Sequence, residues 1–216
     1  MKSNYRGGLN AKQCKSLVSF IIEYVDKNPY HLPTHAKILE SKQNELLELG
    51  ISKEKIKRFY RSKSYKNIRD IKERFATNAI RKGFGSFAAF HKWYVEQLKK
   101  QHYRCYCCNT PKCDLEQIFE RKYRIDIAMK KEKPYSIKPS ISAALHLDKK
   151  EPKGSYGDND NCVLVCTLCK NAKRDMVHSG DNFAWYYGGS INSFYNTMSL
   201  LAKFDSGCYI DDSIDA

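Results

Sequence analysis

Apolar residues recur every three to four positions near the start of the chain. Leu17, Val18, Phe20, Ile21, Tyr24 and Val25 mark one face of an amphipathic helix over 11–28. Asn28-Pro29 ends it, since the residue before proline avoids the helical region. After Leu32-Pro33-Thr34, a second helix is expected over 35–49, stopped by Gly50. Ser52 can cap a third helix beginning near Lys53. A basic helix over 66–80 follows, and Gly83-Phe84-Gly85 reads as a breaker. Ser86 then caps a helix carrying Phe87, Phe90, Trp93, Tyr94 and Leu98. Its aromatics are expected to pack the N-terminal helices onto a cysteine-bearing module at 105–180.

Past residue 140 the pattern shortens to strand-sized runs, Leu145–Asp148 and Cys162–Val165, with a helix after the second. Helices followed by a small strand pair place the chain in the α+β class. Residues 114–140 form a basic insert with Pro134 and Pro139, suited to a DNA-contacting flap, a dimerisation arm or an irregular connection. Residues 181–216 contain the aromatic stretch Phe183, Trp185, Tyr186 and Tyr187, a helix near 191–203 and an acidic tail.

The stretch from Leu46 to Arg58 resembles a helix-turn-helix. Gly50 would make the turn, and Lys53, Lys57 and Arg58 would face nucleic acid. An ordinary helical hairpin with a glycine C-cap gives the same pattern.

Composition adds a direction. The net charge is +14, and 42% of residues are apolar, enough for a core. Residues 1–104 hold 23 Lys and Arg against 9 Asp and Glu, while residues 105–216 hold 15 of each. The positive field therefore belongs to the N-terminal half, as expected of a region that grips phosphates. No apolar run reaches the ~20 residues of a membrane span. The expectation is a cytoplasmic protein without a membrane partner.

Nine cysteines are present, an odd number. Four lie in two Cys-x-x-Cys knuckles, Cys105–Cys108 and Cys166–Cys169. That spacing favours a reducing compartment and four thiolates on one tetrahedral Zn²⁺. The remaining Cys14, Cys107, Cys113, Cys162 and Cys208 read as core or surface thiols, with Cys107 and Cys113 near enough to the first knuckle to compete for the metal.

The stretches CYCC at 105–108, LHLDKKEPKGSYGDNDNCVLVC at 145–166 and CTLCKNAKRDM at 166–176 together resemble the HNH (ββα-metal) endonucleases. The resemblance covers residues 105–180 and implies a zinc-stapled, treble-clef-like ββα-metal module at 101–180. A basic helical DNA-binding region at 1–100 would precede it. It further implies metal-dependent cleavage of DNA in a restriction, phage-defence or mobile-element setting. A homodimer would serve a two-strand cut.

By the same resemblance, Asp148 is a ligand of a catalytic Mg²⁺ or Mn²⁺, Asn171 is the nearest candidate for the second ligand, and Asn161 fixes the loop between the strands. Lys173, Lys170 and Arg174 would meet phosphates. Two positions depart from the family pattern. Lys149 stands where the usual general-base histidine follows the Asp, and Lys170 stands where an Asn follows the second knuckle. A lysine is protonated near neutrality, so Lys149 would stabilise developing charge. His146 shares a strand face with Asp148 and becomes the first candidate for base or ligand. Tyr106 could orient a water. The alternative from another class is a catalytically degenerate zinc module that binds nucleic acid or supports assembly.

Overall fold

The structure, a computed structural model, describes residues 6–116, 118, 144–158, 160–173 and 187–196. The described residues divide into two compact units, one ending at Val95 and the other beginning at Glu96.

The first unit is helical, and side-chain caps set its helix starts. In α1 (Ala11–Lys27) the Asn10 side chain accepts from the Gln13 N–H at 2.8 Å, and the Gln13 side chain accepts from the Asn10 N–H at 3.2 Å. This reciprocal pair satisfies two N–H groups that the helix itself cannot use. The stripe Cys14, Leu17, Val18, Ile21 and Val25 is buried. Thr34 caps α2 (His35–Glu48), which is kinked at Lys42. Gly50, at φ +64°, takes the left-handed turn that ends this segment. Gln13 Nε2 donates to Leu49 O at 2.9 Å and to Gly50 O at 3.3 Å, tying the start of α1 to the turn after α2. Ser52 caps α3 (Lys53–Phe59) and Ser62 caps α4 (Lys63–Arg74).

The single helix expected over 66–80 is two helices. Thr77 Oγ1 accepts from the Ile80 N–H and starts α5 (Asn78–Phe84). Gly83 lies inside α5, and the stop is Gly85 alone, at φ +75°. In α6 (Phe87–Lys100), Asp26 Oδ1 accepts from the N–H groups of Phe87 and Ala88 at 2.6 and 3.2 Å. A carboxylate there also faces the positive end of the helix dipole. Trp93 packs against Phe84 and Phe90, which with Phe75 form an aromatic core inside the first unit.

The second unit holds the sheet. Strands β1 (His146–Lys149) and β2 (Cys162–Val165) pair antiparallel, with His146 opposite Val165 and Asp148 opposite Val163. All four residues of β2 are buried. Helix α7 (Thr167–Lys173) follows directly. Residues 187–196 are also helical, so the helix expected near 191–203 starts earlier. Arg174, Phe183, Trp185, Tyr186, the acidic tail and nearly all of the 114–140 insert lie outside the described residues. The architecture is mixed: mostly helical, with one small two-stranded sheet and a buried four-cysteine cluster. No helix among the described residues is long and apolar enough to cross a membrane.

Candidate metal centre and adjoining strand site

The two knuckles meet at one point. The Sγ atoms of Cys105, Cys108, Cys166 and Cys169 all lie within 4.8 Å of one another, and all four residues are buried. Cys108 Sγ and Cys166 Sγ are 3.8 Å apart. A tetrahedral ion with Zn–S bonds of about 2.3 Å has sulfur–sulfur edges of about 3.8 Å, so the cluster could hold a metal such as zinc. Backbone and hydroxyl groups surround the sulfurs. The Cys166 N–H donates to Cys105 Sγ at 3.2 Å, the Cys169 N–H to Cys166 Sγ at 3.4 Å, and the Tyr195 hydroxyl to Cys166 Sγ at 3.6 Å. Thr110 Oγ1 lies 3.2 Å from Cys108 Sγ and donates to Asn192 Oδ1 at 3.3 Å. Such donors stabilise thiolates and orient the ligands.

Hydrogen bonding from Cys105 pulls Cys108 and Cys166 below the usual thiol range. The same bonds push Cys105 and Cys169 above it, through Cys108 and Cys105 respectively. Cys14, Cys107 and Cys162 are buried and lie outside the cluster. Cys113 Sγ lies 3.6 Å from Asp114 Oδ1, and Cys208 lies outside the described residues.

Beside the cluster, one face of β1 looks onto α7. His146 Nε2 lies 3.0 Å from Thr167 Oγ1, and Lys173 Nζ donates to Asp148 Oδ2 at 3.0 Å. Alternation along the strand puts His146 and Asp148 on this face and buries Leu147 on the other. Helix phase decides which α7 side chains meet them. Cys166, Cys169, Lys170 and Lys173 follow the i, i+3, i+4, i+7 spacing of one stripe. Lys170 Nζ accordingly donates to Leu147 O at 3.1 Å, and Lys173 Nζ also donates to Lys149 O. Both lysines, expected at phosphates, are turned inward onto β1. Asn171 lies about 200° from Lys173 around the helix and is exposed, so Lys173 rather than Asn171 reaches Asp148.

Lys149 is on the opposite strand face from Asp148. Its ammonium donates to Pro152 O and Gly154 O and lies 5.2 Å from the Tyr156 ring centre, so it holds the hairpin loop. Asn161 also holds this loop. Its Oδ1 accepts from the Glu151 N–H at 2.7 Å and its Nδ2 donates to Glu151 O at 3.2 Å. The Tyr106 N–H donates to Leu164 O at 3.0 Å, at the edge of β2 away from β1. Lys53, Lys57 and Arg58 are exposed on α3 in the first unit.

Several neighbours were not singled out from the sequence. Thr167, directly after Cys166, had a usable signal, because a residue inside a knuckle necessarily sits beside the strand site. Gln101 accepts from the Leu164 N–H at 2.9 Å and donates to Leu164 O at 2.8 Å, covering the edge of β2. Neither Gln101 nor Tyr195 carries a motif. The four-cysteine group is the one cluster of three or more potential metal ligands found among the described residues. Comparison of the chain with protein-family models, with curated proteins and with solved structures gives no match.

Proposed function

We propose that this chain is a zinc-stapled, metal-dependent endonuclease of the HNH type that hydrolyses phosphodiester bonds in DNA. The observation that carries this reading is the hairpin–helix unit β1–β2–α7. It aims His146 and Asp148 at a helix whose first turn is anchored by the second knuckle. Zn²⁺ would occupy the four-cysteine cluster as a structural ion, since four buried thiolates leave no open ligand position.

Asp148 would hold a Mg²⁺ or Mn²⁺ ion, a hard cation that needs only one or two carboxylates when phosphate oxygens and waters complete its shell. When bound, such an ion neutralises charge on the phosphate and stabilises the leaving oxygen. The chain's own groups do the rest. Thr167 fixes the orientation of the His146 ring, which a base receiving a proton from water requires. Lys173, buried beside Asp148, orients that carboxylate through its 3.0 Å contact with Oδ2. Asn161 and Lys149 hold the hairpin loop and hence the setting of Asp148. The exposed Lys53, Lys57 and Arg58 would meet DNA phosphates.

A second reading is favoured by one specific observation. The carboxylate of Asp148 is already paired with Lys173 and Asn171 faces outward, as in a zinc module that has exchanged its catalytic cation for a lysine. Supercoiled plasmid incubated with Mg²⁺, Mn²⁺ or EDTA decides between the two. The expected outcome is metal-dependent nicking or linearisation by the native chain, lost by at least a hundredfold in Asp148→Ala. A gel shift without cleavage, the same in both proteins, would establish the binding module instead.

A further inference from the structure

We propose that a cleft at the outer edge of β2 binds the phosphate backbone of the nucleic acid. It would be a second contact surface, distinct in its residues from the Asp148 face. The inference rests on the nucleic-acid substrate proposed above, not on its cleavage. The cleft has a volume of about 430 Å³ and lies wholly within the second unit. Binding pockets of about 300–1,000 Å³ take ligands of nucleotide size. Three cations from three separate segments line it: Lys100 at the end of α6, Arg104 before the first knuckle and Lys150 after β1. Asp160 is the one carboxylate in the lining.

Two of the cations are held in place. Arg104 Nη1 donates to Asn109 O at 3.1 Å, which sets the plane of the guanidinium. A guanidinium has five N–H donors, so this bond uses a small part of its capacity. Lys150 Nζ lies 5.8 Å from the centre of the Tyr106 ring, which steadies the ammonium against the cleft wall. His102 and Tyr103 sit at φ +50° and +57°. Two successive non-glycine residues in the left-handed region are costly and are retained where geometry matters. Here they turn the chain sharply after α6, between Lys100 and Arg104. The backbone adds one donor: Leu164 is taken by Gln101 and Tyr106 at this edge, and strand alternation directs the Cys162 N–H to the same edge, inside the cleft. A planar guanidinium fork, two ammonium groups, a backbone edge and a tyrosine ring match a phosphodiester with its attached nucleoside.

The test is equilibrium binding of the full chain to a fluorescein-labelled DNA duplex, without added divalent ion, from about 50 to 200 mM salt. A Lys100→Ala, Arg104→Ala, Lys150→Ala triple variant is expected to bind at least tenfold more weakly. The slope of log affinity against log salt should become shallower by about two to three. Asp160→Asn is expected to shift affinity the other way. Metal content and circular dichroism equal to those of the native chain show that the variant folds. Should the triple variant misfold, Lys100→Glu at the exposed end of α6 reads the same term. Unchanged affinity and slope in a folded variant overturn the proposal, as does binding of labelled poly-glutamate in place of DNA. Failure of the nuclease reading looks different: plasmid stays intact while these binding shifts persist.

Discussion

Gly154 has no room for a side chain, because a Cβ there would run into the Asn161 carboxamide. That carboxamide carries both hydrogen bonds that close the hairpin loop onto Glu151. Gly154→Ala is therefore expected to lower stability by about 1–3 kcal/mol, the range for forced overpacking, and urea denaturation measures it. A comparable glycine change at Gly189, where a Cβ meets nothing within 4 Å, provides the control. At this scale the sequence was legible wherever a side chain works locally. The caps Ser52 and Ser86 could be named because their partners lie three residues away, whereas Asn161, ten residues from Glu151, was named through the family resemblance. The Lys173–Asp148 pair spans 25 residues of sequence and depends on the phase of α7 relative to β1. Nothing in the local pattern of either residue announces it, and phosphate contact was the expectation instead.

Among elements, the cysteine cluster organises the second unit. It joins the turn after α6, the end of β2 and the start of α7, three segments too short to hold one another by apolar burial alone. One zinc per chain is the expected metal content. Stripping it with a chelator, or making Cys169→Ser, is expected to unfold β1, β2 and α7 while the far-ultraviolet signal of the first unit persists. Metal affinity should rise with pH, because the four thiols must give up their protons to bind the ion as thiolates. Competition with a chromophoric chelator across pH reads both the sign and the proton count. Element existence was largely readable. Periodicity and caps located α1, α2, α3 and α6, and knuckle spacing located the cluster. The division of α4 from α5 was missed because Thr77 acts as a cap within the span read as one helix, between two basic segments. The hydroxyl of one threonine outweighed the pattern around it.

For the whole molecule, two groups whose titration is shifted by burial shape the pH dependence of stability. Burial holds His91, edge-on to Phe87, down to about 4 from 6.5. The unfolded chain takes up that proton first, so this contribution is present above pH 6.5 and lost as pH falls toward 4. Burial pushes the Cys162 thiol up from 9.0 to about 11. The unfolded chain loses that proton first, so stability is intact below pH 9 and declines toward 11. Tyr60 and Tyr195, raised further by burial, extend the alkaline decline. Melting temperatures should therefore be highest between about pH 6.5 and 9, and a scan of thermal unfolding against pH checks both edges. The helical residues 187–196 carry a last consequence. Gly188 lies so close to Cys107 O that only a hydrogen fits between them, and Tyr195 caps the cluster with its hydroxyl. This segment is a lid over the sulfurs contributed from beyond the second knuckle. A fragment ending at residue 180 keeps all four ligands and loses the lid. Its zinc should still bind but exchange with a competing chelator faster than in the full chain, so the lifetime of the ion, rather than its binding site, is what the C-terminal extension determines.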